Sequence, residues 1–129
     1  FEQVEKYVHR SNREKWINGH FAILNTWRPI QNKVETAPLG FLLPKLVNEG
    51  DLIGIDLVYP QRKGEVMGCL YNNKHQWIYL SEMDPDELVL FMMFDNAGRS
   101  PVVHSAFDFI NASNAPARKS IESRILVRF

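Results

Sequence analysis

The spacing of apolar and polar residues changes character near His20. Before it, Val4, Tyr7 and Val8 recur at helical spacing, and Ser11-Asn12-Arg13-Glu14 has capping-box form ahead of a short run closed by Gly19, so residues 1–19 read as a helical lead-in. From His20 to Phe129 the period falls to two, or to short apolar runs bounded by turn residues, which is the signature of β-strands. Seven strands are predicted: Phe21–Arg28, Leu52–Tyr59, Glu65–Tyr71, His75–Leu80, Glu87–Phe94, Val102–Phe107 and Ser120–Phe129. Asn72-Asn73-Lys74 suits a tight hairpin between two of them, because asparagine tolerates positive φ, and Asp84-Pro85 opens another turn. Leu88 to Phe94 is apolar at every position, which predicts a central strand covered on both faces. A helical segment followed by many short strands makes the chain mainly β, a sandwich, jelly roll or open barrel. A jelly roll usually has eight strands, so an incomplete one is expected. With no repeat or linker, residues 1–129 read as a single domain.

Composition narrows the partners. Fifteen basic and fifteen acidic side chains cancel to a formal net charge of zero, so the chain lacks the one-signed field that draws proteins to nucleic acid or to anionic membrane. A 45% hydrophobic and 12% aromatic content is that of a folded globule, and the apolar run at Leu88 is far too short to span a bilayer. Cys69 is the single cysteine, which excludes an intrachain disulfide or thiolate zinc cluster and fits a reducing, cytoplasmic setting; it reads as a small core residue. Asn111-Ala112-Ser113 has the form of a glycosylation acceptor but, with no secretory signal, is taken as chance. The chain opens on Phe1, so we expect residues upstream of it in the natural product.

Phosphate loops, nucleophile-elbow serines, His-Glu-x-x-His and Cys-x-x-Cys are all absent from the sequence. What remains is sparser. Arg118-Lys119-Ser120 opens the last strand, where a period of two puts Arg118 and Ser120 on one face, and a guanidinium and a hydroxyl so placed can hold one carboxylate. An ordinary solvated strand start is the plainer reading of the triplet alone. His104 lies between Val102 and Ala106 on an apolar face, where a hydrogen-bonded core histidine is the plainer alternative to a metal ligand. If the last two strands are neighbours, the two signals meet at one edge of the fold.

Six stretches together resemble a known family: Asn25-Thr26-Trp27-Arg28-Pro29-Ile30, Ala37-Pro38-Leu39, His75-Gln76-Trp77-Ile78-Tyr79, Asp84-Pro85-Asp86-Glu87, His104-Ser105-Ala106-Phe107, and Arg118 through Arg124. In that order they resemble the fungal and bacterial hydroxylase/desaturase family of non-haem iron, 2-oxoglutarate-dependent oxygenases. The resemblance implies a double-stranded β-helix in which a His-x-Asp pair and one late histidine bind Fe(II). On it, His104 matches the late iron ligand, and Arg118 and Ser120 match the residues that grip the distal carboxylate of 2-oxoglutarate. Asn25 is a further co-substrate candidate. Arg28, His75 and Trp77 are candidates for the pocket of a small-molecule substrate, Arg28 with a structural ion pair as its alternative. Glu122 and Arg124 are expected to form a salt bridge.

One departure from the family pattern changes the reading: no His-x-Asp or His-x-Glu occurs in the chain. In the family that pair lies upstream of the Asn-x-Trp-Arg-Pro strand, so the chain reads as the C-terminal portion of a dioxygenase whose other ligands come from an upstream segment or a second chain. The expected function is hydroxylation, desaturation or cyclisation in secondary metabolite biosynthesis. The alternative is a non-catalytic carboxylate-binding or partner subunit with a degenerate oxygenase fold.

Overall fold

The computed structural model describes residues 2–109 and 115–129. The Asn111-Ala112-Ser113 triplet lies outside the described residues. Two short helices lead in, α1 (Glu2–Tyr7) and α2 (Arg10–Ile17). The expected capping box at Ser11 does not form, because α2 begins one residue earlier and Ser11 falls inside its first turn; His9 caps instead, its ring nitrogen accepting the Ser11 N–H.

Eight strands follow among the described residues: β1 (Phe21–Pro29), β2 (Leu39–Leu42), β3 (Leu52–Tyr59), β4 (Arg62–Cys69), β5 (Trp77–Tyr79), β6 (Val89–Asp95), β7 (His104–Ala106) and β8 (Ser120–Arg128). They form two three-stranded sheets, β6-β1-β8 and β5-β2-β7, and a separate β3-β4 ribbon, with antiparallel pairing throughout. β2 escaped the sequence pattern because all four of its residues, Leu39-Gly40-Phe41-Leu42, are buried and show no alternation.

The sheets close on a shared core of Trp27, Val34, Leu39, Phe41, Met83 and Phe91, with Val89, Met93 and Val102 packed against it. Phe41 from one sheet meets Phe91 from the other edge-on at 5.2 Å. Burying such a ring is worth roughly 1.5–3 kcal/mol, so this contact is a main tie between the layers.

Two expectations are corrected here. The turn at Asn72 forms, with the Asn72 side-chain oxygen accepting the Lys74 N–H at 3.0 Å, but it joins no hairpin: β4 belongs to the ribbon and β5 to a sheet. The hairpin lies earlier, where Tyr59 faces Arg62 across the Pro60-Gln61 turn. The apolar run from Leu88 is covered on one face only. Val89, Phe91 and Met93 turn toward the core, whereas Leu88, Leu90 and Phe94 are exposed, Leu90 at 56%. No helix among the described residues is long and apolar enough to cross a membrane.

Candidate functional site

His104 pairs with Phe41 across β2, so its side chain shares the core-facing side of that sheet. Its ring lies 4.6 Å from that of Phe91. Nδ1 sits 3.0 Å from the Val102 carbonyl oxygen. A carbonyl can only accept, so Nδ1 carries the proton and the neutral imidazole presents its lone pair at Nε2. This is the arrangement a histidine ligand needs: one nitrogen oriented by the backbone, the other ready to coordinate.

Arg118 stands just before β8, on the other sheet. Its Nη1 donates to the Ala37 carbonyl at 2.6 Å, and its guanidinium carbon lies 5.2 Å from the centre of the Trp27 ring. Ala37 has φ 46°, in the left-handed region that disfavours an L-residue by roughly 1–2 kcal/mol, and the arginine bond helps to hold it there. No protein acceptor among the described residues engages the Nε–Nη2 edge. That edge can take a carboxylate through two parallel bonds. Ser120 pairs with Pro29, and the alternation along β8 puts it on the face that bears Trp27.

The expectation that the last two strands adjoin is corrected: β7 pairs with β2, and β8 pairs with β1. His104 and Arg118 instead each rest on an aromatic member of the same core cluster, Phe91 and Trp27 respectively.

Asn25 is fully buried on the core-facing side of β1, with both ends of its amide used. Its Nδ2 donates to Glu122 at 2.7 Å, and its Oδ1 accepts from Arg124 Nε at 3.3 Å. The expected Glu122–Arg124 salt bridge is thus replaced by a bridge through Asn25, which lies directly opposite Arg124 on β1 and diagonal to Glu122, within reach of both side chains. Glu122 and Arg124 also line a cavity of about 630 Å³ with Lys6, Tyr7 and Leu126.

Arg28 points away from Trp27 and is exposed, its Nε donating to the carbonyl of its neighbour Pro29 at 3.4 Å. His75 and Trp77 do come together, lining a cavity of about 250 Å³ with Cys69 and Asn72. Trp77 pairs with Leu42, one residue out of phase with the Phe41–His104 pair, so it faces the opposite side of its sheet and is 47% exposed. Its other neighbours are Tyr79 and Phe107, around a cavity of about 500 Å³. Arg28 and Trp77 therefore face away from the core cluster on which His104 and Arg118 each rest. Cys69 is half-buried at the foot of the ribbon, outside the core. Burial, and after it the negative charge of Asp51, pushes its thiol pKa up, which suppresses thiolate chemistry.

Two acids escaped sequence reasoning. Asp51 holds the buried His75 ring, with Nε2 to Oδ2 at 3.1 Å, and also accepts from the backbone of Asn48 and the side chain of Asn72. The Asn48 backbone bond, then Asn72 and His75, holds its carboxyl well below the usual range. Asp95, buried at the end of β6, meets His20 at 3.0 Å. Burial raises its pKa, but the Ala97 N–H, His20 and Arg99 outweigh that and lower it. Sequence separations of 24 and 75 residues leave no local pattern by which either pair could be found.

The pattern of the oxidoreductase/YMDC permease-like domain matches residues 1–128. The chain belongs to that family. Relatives of this oxidoreductase/YMDC permease-like chain include the hydroxylase/desaturase efuI of Hormonema carpetanum, 32% identical over 132 residues that make up 92% of this chain and 42% of that protein. The hydroxylase/desaturase asaB of Aspergillus flavus is 33% identical over 136 residues, 90% of this chain and 59% of that protein. The chain spans about half the length of the curated relatives it matches. These names bear out the resemblance carried by the six motifs. Among solved structures, the iron and alpha-ketoglutarate-dependent endoperoxidase NvfI superposes with a TM-score of 0.87 at 23% identity, over 99% of this chain and 48% of its own. That likeness establishes the fold, a mainly β, incomplete jelly roll.

Proposed function

We propose that this chain is the C-terminal portion of an Fe(II)/2-oxoglutarate-dependent oxygenase that hydroxylates, desaturates or cyclises a small specialised metabolite. The observation that carries the reading is the His104 geometry: Nδ1 tied to the Val102 carbonyl and Nε2 left as an acceptor, with the ring packed on Phe91 of the core. The donor set fits iron in part. His104 suits one coordination position, and among the described residues no cluster of three or more histidine, cysteine or acidic side chains could hold a metal alone. The remaining ligands are assigned to an upstream segment or a second chain. Iron held there would supply the redox chemistry by which one dioxygen is reduced as the 2-oxo acid and a substrate C–H bond are each oxidised by two electrons.

The protein's own contribution is placement. The backbone carbonyl of Val102 fixes the His104 ring, and Phe91 packs against it. Arg118, steadied by Ala37 and Trp27, offers its Nε–Nη2 edge to the distal carboxylate of 2-oxoglutarate, and Ser120 adds a hydroxyl donor. The names of the relatives support hydroxylase or desaturase chemistry.

The test uses the full-length protein. His104→Ala is expected to lose bound iron with circular dichroism unchanged, and Arg118→Ala to weaken 2-oxoglutarate binding by roughly 2–5 kcal/mol, the cost of stripping one partner from a buried hydrogen-bonded charge pair. Full iron occupancy in the first variant, or native affinity in the second, rejects the assignment.

A further inference from the structure

A cavity of about 630 Å³ lies between α1 and the β1–β8 pair. Register sets Ile23 opposite Leu126 and Asn25 opposite Arg124, all on the face of the sheet that bears Trp27, and α1 supplies Lys6 and Tyr7. Two cations, Lys6 and Arg124, and one acid, Glu122, line it, and among the described residues neither cation has a carboxylate within ion-pairing distance. Asn25 is the cause. By accepting from Arg124 Nε and donating to Glu122 Oε1 it stands between the two charges, and the Nη1–Nη2 end of the guanidinium meets no acceptor among the described residues. A fully buried amide bonded at both ends is a rigid support, which fixes the arginine before any ligand arrives.

From these observations we propose that the cavity is the subsite for a carboxylate group of the organic substrate, held by Arg124 and Lys6, an inference that rests on the oxygenase reading above. The free end of the guanidinium can take a carboxylate through two parallel charge-assisted bonds, and Lys6 adds a second positive charge. Ile23, Leu126 and Tyr7 offer apolar surface to the body of the molecule. Size agrees, since small-molecule sites commonly measure about 300–1,000 Å³. The subsite is separate from the one assigned to 2-oxoglutarate. Arg118 and Arg124 are six residues apart, which along β8 and its lead-in is about 20 Å at ~3.3 Å per residue, too far for one molecule of 2-oxoglutarate to reach both. His104 is nearer. Phe91 pairs with Asn25 and Asn25 with Arg124, a row about 10 Å across at ordinary strand spacing, which runs from the ring beside His104 to the arginine. A substrate anchored by its acid at Arg124 therefore has the imidazole within reach of its other end.

The test is calorimetric titration of the full-length protein, saturated with 2-oxoglutarate, with cyclohexanecarboxylate and its neutral counterpart cyclohexanecarboxamide as probes. Wild type is expected to bind the acid about tenfold or more tightly than the amide, as charge-assisted bonds require. Arg124→Ala should erase that preference, and Lys6→Met should reduce it about threefold, both with 2-oxoglutarate affinity unchanged. Lys6 is exposed, so its variant still reads the charge if Arg124→Ala, which strips a partner from buried Asn25, fails to fold by circular dichroism. Equal affinity for acid and amide, or a preference that neither variant alters, overturns the inference and leaves the Arg118 assignment standing. So does a wild type that binds neither probe, the cavity then being filled by upstream chain. Loss of 2-oxoglutarate affinity in a folded Arg124→Ala, with Arg118→Ala unaffected, overturns both assignments by moving the co-substrate to this cavity.

Discussion

Replacing Arg118 with alanine removes two contacts made by one guanidinium. The Nη1 bond to the Ala37 carbonyl, at 2.6 Å, has a charged donor, a class worth about 1.5–3 kcal/mol. The position over Trp27, 5.2 Å from the ring centre, adds about 0.5–2 kcal/mol for a part-buried cation. Because the two contacts share a side chain they are not fully additive, and a loss of about 2–4 kcal/mol is expected. That is a large fraction of the 5–15 kcal/mol typical of a folded domain, and roughly a 1–2 M fall in the urea midpoint at ordinary denaturant sensitivity. Urea unfolding followed by circular dichroism measures it, and tryptophan emission adds a local probe because Trp27 lies beneath the guanidinium. Arg118→Lys keeps the charge over the ring and should fall between alanine and wild type. An unchanged midpoint in the alanine variant refutes the reasoning, since neither contact would then be formed.

Phe91→Ala opens the core where the ring is wedged between Phe41 and His104, and should cost about 3–5 kcal/mol by thermal or chemical unfolding; a loss below about 1 kcal/mol would mean that the ring is not a packing centre. Asp51 has a folded-state pKa below its ordinary 3.8, so its stabilising effect is present above about pH 4 and is lost as pH falls through the folded value. Asp51→Asn should therefore flatten the acid limb of stability against pH, read as melting temperature, while Asp95 keeps part of the slope; an unaltered limb would contradict the assignment.

Strand content could be read residue by residue because a half-buried antiparallel strand shows its two faces as alternation. β1 and β3 fell where the pattern put them, and β8 began at Ser120 as expected. β2 left no such trace, since both of its faces are buried. The Asn72 turn was chemically correct yet wrongly placed in the topology, because a turn residue specifies local φ and ψ and does not say which sheet the next strand joins. For the site, two-residue spacing placed Arg118 and Ser120 on one face, but residue type and spacing left plainer alternatives open for them and for His104, and the roles came from the family resemblance.

By itself the amino-acid order determined what is local: residue chemistry, the switch from helical to two-residue period, and the motifs shared with the hydroxylase/desaturase relatives. Tertiary structure alone decided which elements meet. It set His104 and Arg118 on opposite sheets, gave Asn25 to Glu122 and Arg124, joined Asp51 to His75 across 24 residues, and turned Trp77 away from the core. The reason is physical: alternation ties a side chain to a face of its own strand, whereas contacts between strands depend on how whole apolar faces are buried against one another, a balance spread over many residues that no short stretch contains.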